Sequence, residues 1–307
     1  MRIVFFGTPS FAEVSLRALL DAGHDLVGVV TQPDKPQGRS RSVLVPPPVK
    51  VLAESRGLRL LQPEKPAGDV FLAALRRFKP DLGVVVAYGH ILRQQVLDIP
   101  RLGMINVHAS LLPKLRGAAP IQWALAGGET ETGVSIMRME AGLDSGPVYA
   151  QARINIVAGD TGGSLTSRLA ELGAQTLVEL LPAIGKGSAR ATPQDHAAAT
   201  YAPKLSREAA LVDWTADAGS IARRICAFDP VPGAWTRLGT TDIKLFHARA
   251  ALGAGEPGEV LHTGDRILVA AGEGAVEVGE VQPAGRRRAA AGEWVRGRGV
   301  AQGQRFA

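Results

Sequence analysis

Over the first 140 residues, short runs of valine, isoleucine, leucine and phenylalanine alternate with stretches in which apolar residues recur every three or four positions. Residues 2–6 (RIVFF) form the first run and stop against Gly7-Thr8-Pro9. Phe11, Val14, Leu16, Leu19 and Leu20 follow at helical spacing, and Gly23 ends that helix. Residues 26–31, 82–87, 103–108 and 132–139 read as further strands, the last alternating less cleanly, with helices at 49–56 and 69–78. Continuous Val/Ile runs separated by helices predict a mostly parallel sheet covered on both faces, a Rossmann-like α/β domain. Such sheets bind ligands outside the carboxyl ends of their strands. Chemistry is therefore expected in the loops after Phe6, Thr31, Ala87 and His108.

Residues 161–184 read as a long helix closing this domain. The polar stretch that follows, with Gly, Pro, Thr and three consecutive alanines, reads as a linker or as a structured crossing segment. Beyond it the pattern changes. After a helix at 220–228 and the turn Pro230-Val231-Pro232-Gly233, short apolar segments stand at 234–238, 243–248, 258–261, 267–270 and 276–281, with turn residues between them. Residues 251–257 read as a loop. That spacing predicts a small antiparallel β-barrel of the OB-like kind. The expected division is a first domain at 1–185, a linker at 186–204 and the barrel at 205–307.

Composition adds constraints. The 307 residues are 46% hydrophobic and 21% charged, enough apolar material for two globular cores. Cys226 is the one cysteine, which excludes an internal disulfide and a cysteine metal cluster; in its helix it reads as a small buried residue. The opening apolar run meets Gly-Thr-Pro too soon for a signal peptide. No run of about 18 apolar residues suggests a membrane span, so the cytoplasm is expected. The net charge of +6 permits a polyanionic partner. Lys35, Arg39, Arg41 and Lys50 stand with no acid between them, and Arg286, Arg287, Arg288, Arg296 and Arg298 with only Glu293 among them. One cluster alone is an ordinary solvated face; two point to a nucleic-acid surface.

The densest polar group is Asn106-Val107-His108, running into Ala109-Ser110-Leu111-Leu112-Pro113. Residues two apart in a strand share a face, so Asn106 and His108 project together where the chain leaves the sheet. A neutral amide and an imidazole suit attack on a carbonyl, one holding the developing oxyanion and the other moving a proton. By itself Asn-x-His is a weak motif, equally the mark of a histidine bonded to backbone. Asp144, between Gly142 and Gly146, is either an ordinary turn aspartate or the carboxylate that orients His108. The six histidines are scattered and none stands at ligand spacing from another, so no metal is expected. Gly7-Thr8-Pro9-Ser10-Phe11 lacks the Gly-x-Gly-x-x-Gly of a dinucleotide site, and no Walker loop is present.

The run from Asn106 through Ser110-Leu111-Leu112-Pro113 to Arg116-Gly117-Ala118-Ala119-Pro120 resembles the signature of the folate-dependent formyltransferases. Thr132-Gly133-Val134-Ser135-Ile136-Met137 and Gly142-Leu143-Asp144-Ser145-Gly146 are similar to the segments that follow it there. Gly7-Thr8-Pro9, Thr31-Gln32-Pro33-Asp34-Lys35-Pro36, Val85-Val86-Ala87-Tyr88-Gly89, Tyr201-Ala202-Pro203-Lys204-Leu205-Ser206, Asp213-Trp214 and Gln282-Pro283-Ala284-Gly285 resemble the branch that formylates a charged tRNA. Departures are Gly38-Arg39-Ser40, where the family often has Gly-Arg-Gly, and Asp229-Pro230-Val231-Pro232, where it often has Asn-Pro-Trp-Pro.

The resemblance implies formyl transfer from 10-formyltetrahydrofolate to the amino group of initiator methionyl-tRNA, in translation initiation, using no metal and no covalent intermediate; the sequence carries no self-association signal, so a monomer is expected. Asn106 would bind the formyl oxygen, His108 would assist proton movement, and Asp144 would pair with His108 and help take the amine proton. Ser110, Leu111, Leu112 and Pro113, with Leu92, would line the folate site. Lys35, Arg39 and Arg41, in the loop at 34–48, would touch the tRNA acceptor end, and the barrel would hold the acceptor arm. Rival readings are a sibling that formylates a sugar nucleotide or purine precursor, a non-catalytic tRNA-binding module, and an oxidoreductase. The basic loop and second domain oppose the first, the intact Asn, His and Asp the second, and the missing glycine fingerprint the third.

Overall fold

The computed structural model describes residues 1–37 and 43–307. In chain order its first part runs β1 (Arg2–Gly7), α1 (Ser10–Asp21), β2 (Asp25–Val30), β3 (Lys35–Gln37), β4 (Val43–Val45), α2 (Pro48–Ser55), β5 (Leu60–Leu61) and α3 (Asp69–Arg77). It continues β6 (Leu82–Val86), α4 (Gln94–Leu97), β7 (Met104–His108), β8 (Arg116–Gly117), α5 (Pro120–Ala126), β9 (Glu131–Arg138), β10 (Val148–Asn155) and α6 (Gly162–Gly185). Seven of these strands form one sheet in the order β10-β9-β7-β6-β1-β2-β5. β1 is parallel to β2 and β6, β2 to β5, and β6 to β7, whereas β9 runs antiparallel to β7. The chain begins at β1, steps outward to β2, and comes back on the other side with β6. That reversal marks the switch point beside which open α/β sheets take ligands.

The parallel strands form because their valines and phenylalanines are buried on both faces. Val4 and Phe6 of β1, Val27 of β2 and Val85 of β6 pack against Phe71, Leu72 and Leu75 of α3 and against Phe78 just beyond it. Gly28 makes room for that contact: a Cβ there would lie 2.3 Å from the Phe78 ring. Three pieces of the sheet region escaped the sequence reading. The two-residue β5 is too short to show a period, the hairpin β3–β4 lies in a Pro-rich stretch, and β10 is an edge strand of mixed polarity.

The chain divides into two compact units. One gathers Met1–Gly117, Gly133–Ile154 and Thr166–Tyr201; the other gathers Ala118–Thr132, Asn155–Leu165 and Ala202–Ala307. The stretch with linker-like composition carries specific bonds within the first unit, where Thr192 and Val148 exchange backbone hydrogen bonds of 2.8 Å. In the second unit α5 sets Trp123 edge-on to Phe228 at 6.1 Å.

The chain continues with β11 (Tyr201–Ala202), α7 (Ala218–Ala227), β12 (Ala234–Leu238), β13 (Thr241–Ala251), β14 (Val260–Thr263), β15 (Ile267–Ala270), β16 (Ala275–Pro283), β17 (Ala289–Ala290) and α8 (Ala291–Arg296), the elements from α7 onward lying in the second unit. Asp217 caps α7 by accepting the Ser220 N–H at 2.8 Å. An antiparallel sheet runs β12-β13-β16-β15-β14, with β17 on β16. Residues 304–307 then join its two edges. Val260 donates to the Gln304 carbonyl at 2.8 Å, and Arg237 and Ala307 exchange bonds of 2.9 and 3.1 Å. Phe306 stacks on Trp214 at 5.8 Å. The sequence reading assigned no element to these last residues.

Gly28→Ala should lower stability by about 1–3 kcal/mol, because the Phe78 ring must shift inside a packed core. Equilibrium denaturation with urea checks this; an unchanged midpoint would contradict the packing described.

Candidate active site

The carboxyl end of β7 presents Asn106 and His108 on one face, two residues apart. Asn106 is half-buried, pairs with Val85 on one side and Met137 on the other, and none of the described residues hydrogen-bonds its side-chain amide. His108 is 6% exposed. Its Nε2 lies 3.0 Å from the carbonyl oxygen of Leu115. A carbonyl only accepts, so Nε2 carries the proton and the neutral ring keeps its lone pair on Nδ1. Nδ1 in turn faces Oδ2 of Asp144 at 3.7 Å. That is too long for a hydrogen bond, but it is ion-pair distance once the ring takes a second proton.

Asp144 is fixed from the other side. Its Oδ2 accepts the Gly117 N–H at 2.8 Å, and its own backbone is left-handed with φ +47°. The loop can be this tight because Gly146 has no side chain: a Cβ there would lie 1.8 Å from the Arg138 carbonyl. His108 and Asp144, paired only as an expectation from sequence, are neighbours in the fold.

Between them runs the loop after β7. Ser110 is fully buried and its hydroxyl donates to the Lys114 carbonyl at 2.6 Å. The Ser135 hydroxyl donates to the Ser110 carbonyl at 2.7 Å and accepts from Leu112 N–H at 3.0 Å and from Gln151 Nε2 at 2.9 Å. Gln151 also donates to the Leu112 carbonyl at 2.8 Å. Leu112 is buried, whereas Leu111 and Pro113 are partly exposed. Leu92 belongs to the core cluster with Val4 and Phe6, so its side chain is committed to packing. Beside it the Ile91 side chain is 89% exposed. Of the residues named as a folate lining, then, Leu92, Leu112 and Ser110 can meet a ligand through backbone alone.

At the switch point, Thr8 Oγ1 and Gln32 Nε2 each donate to the Tyr88 carbonyl at 2.9 Å. Lys35 sits at the start of the β3–β4 hairpin and its ammonium donates to Gln32 Oε1. The hairpin base is pinned by Lys50, whose Nζ meets Asp34 Oδ2 at 2.7 Å, and by Gln62, which donates to Asp34 Oδ1 at 2.8 Å. The Lys50 and Gln62 donors hold the Asp34 carboxyl below the usual carboxylate range. Arg39 and Arg41 lie outside the described residues.

The formyl transferase family model matches residues 1–181, and the model of the formyl transferase C-terminal domain matches 204–299. A methionyl-tRNA formyltransferase of Aromatoleum aromaticum is 47% identical over 307 residues, 100% of this chain and 97% of that protein. One from Myxococcus xanthus is 48% identical, covering 98% and 96%. The chain belongs to the methionyl-tRNA formyltransferase family. It is accordingly a formyl-transferring enzyme. Two solved structures share the fold. HypX from Aquifex aeolicus, in complex with tetrahydrofolic acid, aligns with TM-score 0.65 at 21% identity over 96% of this chain. The chain spans 47% of that protein's length. Methionyl-tRNA formyltransferase from Clostridium thermocellum aligns with TM-score 0.55 at 14% identity, over 83% of this chain and 95% of that one.

With the family known, the second basic cluster needs correction. Reading along the chain, only Glu293 stood against its five arginines. In the fold Arg287 meets Glu293, Arg296 lies 3.7 Å from Asp265, and Arg288 meets Glu280 and, at 2.7 Å, the buried Asp229. Asp229 stands where the family often has asparagine, and it is the carboxylate that receives Arg288. Sequence reasoning also missed Ser135, Gln151 and Gln194, polar side chains whose bonding depends on distant partners. Among the described residues no group of three or more His, Cys, Asp or Glu could hold a metal ion. No helix there is long and apolar enough to cross a membrane.

Tyr88 supplies a pH test of the switch-point packing. Its ring meets Phe6 edge-on at 5.4 Å, and its buried hydroxyl has no hydrogen-bond partner among the described residues. Burial pushes the phenol up to about 12. The folded state therefore keeps a proton that the unfolded chain releases near about 10. This contribution to stability is complete below that pH and is lost as pH rises through the window up to about 12. An ultraviolet phenolate titration should show one of the three tyrosines ionising last, and Tyr88→Phe should remove that step.

Proposed function

We propose that this enzyme moves the formyl group of 10-formyltetrahydrofolate onto the amino group of initiator methionyl-tRNA, with Asn106, His108 and Asp144 as its catalytic residues. The observation that carries the assignment of roles is the buried His108 facing Asp144 at 3.7 Å, beside the half-buried Asn106 amide. The Asn106 amide donates to the formyl oxygen as negative charge gathers there. The methionyl nitrogen bonds to the formyl carbon and gives up a proton toward Nδ1 of His108, whose lone pair is available. Asp144 balances the imidazolium so formed. The bond from the formyl carbon to the folate nitrogen then breaks, and that nitrogen takes a proton in return.

The roles of the remaining parts follow the same reading. Leu111 and Pro113, the partly exposed residues of the loop after β7, line the folate subsite, with the backbone at Ser110, Leu112 and Leu92 completing it. The β3–β4 hairpin carries Arg39 and Arg41 between its strands, and these residues with Lys35 contact the acceptor end of the tRNA. The C-terminal domain holds the acceptor arm. The reaction belongs to the cytoplasm, where charged initiator tRNA is used.

Labelled formyl from 10-formyltetrahydrofolate should appear on charged initiator tRNA and not on elongator methionyl-tRNA. Label on neither, with folate still bound, would redirect the search to small amines. His108→Ala should lower turnover by about 10²-fold or more while the melting temperature and tRNA affinity stay near wild type. Retention of most turnover would remove His108 from its role.

Arg39→Ala should weaken tRNA use, leave folate binding unchanged, and reduce the slope of log affinity against log salt by about one. Equal losses for both ligands would mean that the hairpin supports the active site rather than the RNA.

A further inference from the structure

We propose that Gln194 is the positioning residue of this site, clamping the Asp144 loop so that its carboxylate meets His108. The inference rests on the catalytic roles proposed above. Gln194 comes from the stretch whose composition resembles a linker, yet it is 8% exposed. Its Nε2 donates to two carbonyls of the Asp144 loop, that of Asp144 itself at 2.8 Å and that of Gly146 at 2.6 Å. Its Oε1 accepts from Arg116, at 2.7 Å from Nη2 and 3.2 Å from Nε.

Arg116 decides which way the amide points. A guanidinium only donates, so the oxygen of Gln194 must face it and the NH2 must face the two carbonyls. Arg116 is itself 4% exposed, and among the described residues it has no carboxylate partner. Its other acceptor is Nδ1 of His196 at 3.1 Å. Burying a cation against neutral acceptors is costly, so the arrangement serves geometry more than stability. The placement of Arg116 in the chain shows which geometry. The residue before it, Leu115, gives the carbonyl that holds His108, and the residue after it, Gly117, gives the N–H that holds Asp144. One tripeptide therefore grips the histidine, the carboxylate and, through Gln194, the loop that carries the carboxylate.

Two substitutions separate this clamp from simple pairing of a buried arginine. Gln194→Glu keeps an acceptor for Arg116, and strengthens it, but removes both donors to the loop. Gln194→Met keeps the side-chain length and removes donors and acceptor alike. The clamp requires both variants to lose kcat by about 10²-fold, the scale of a displacement of about 1 Å at a reacting centre. KM for folate and tRNA should change by no more than about twofold. The Gly117 amide should also exchange hydrogen faster in both variants, since its carboxylate acceptor is no longer held. Gln194→Glu keeps its pairing with Arg116 and should lose less melting temperature than Gln194→Met, which keeps the test valid if Gln194→Met folds poorly.

Wild-type kcat in Gln194→Glu, or unchanged exchange at Gly117, overturns the clamp. So does a loss that falls on KM alone, which would make the Asp144 loop a binding element. Asp144→Asn and His108→Ala are measured alongside. If these keep their turnover, the catalytic roles themselves fail; if they lose it while Gln194→Glu does not, only the clamp fails.

Discussion

A single tripeptide, Leu115-Arg116-Gly117, holds the two titratable groups of the site, and the remaining geometry depends on it. The carbonyl of Leu115 takes the Nε2 proton of His108 and thereby leaves Nδ1 facing Asp144; the N–H of Gly117 takes the Asp144 carboxylate. Without the first bond the tautomer is undefined, and without the second the carboxylate can turn away. The bond to the Asp144 carboxylate contributes about 1.5–3 kcal/mol and the one to the neutral His108 ring about 0.5–1.5 kcal/mol. Leu115 and Asp144 both adopt left-handed backbone, at φ +57° and +47°, which costs about 1–3 kcal/mol each in residues other than glycine. The bonds and the strain are of one size, so the turn holds its shape only while its partners are in place.

Stability and geometry are assigned to different parts of the first unit. The apolar cluster between β1, β2, β6 and α3 contains Val4, Phe6, Phe71 and Leu75 and supplies burial. The ligand side is instead a polar network in which the Ser135 hydroxyl serves three partners and Gln151 serves two. Every member of that network has a partner, which is the condition under which buried polar groups make a loop rigid. Backbone carbonyls tied to side chains in this way keep the loop after β7 in place.

Charge is distributed by long-range pairing. Arg288 draws on Asp229 and Glu280, Arg296 on Asp265, and Arg249 and Arg266 share Glu277. The C-terminal unit is thus less basic at its surface than its arginine runs suggest.

The sequence by itself determined the α/β class, the order of the central strands, the antiparallel C-terminal sheet and the Asn106–His108 face. Each of these is local: apolar runs, turn residues and period-two alternation need no knowledge of distant partners. The strand segments at 234–238 and 267–270 are even bounded as β12 and β15 are. Only the tertiary structure decided that Asp144 faces His108, that Leu92 is spent on the core, that residues 304–307 join two sheet edges, and that Gln194 bonds the Asp144 loop. Each of these is a meeting of segments far apart in the chain, fixed by directional hydrogen bonds and close packing. A glutamine in a linker-like stretch carries no local mark of the carbonyls it will bind, because those carbonyls exist as a target only after the chain has folded around them.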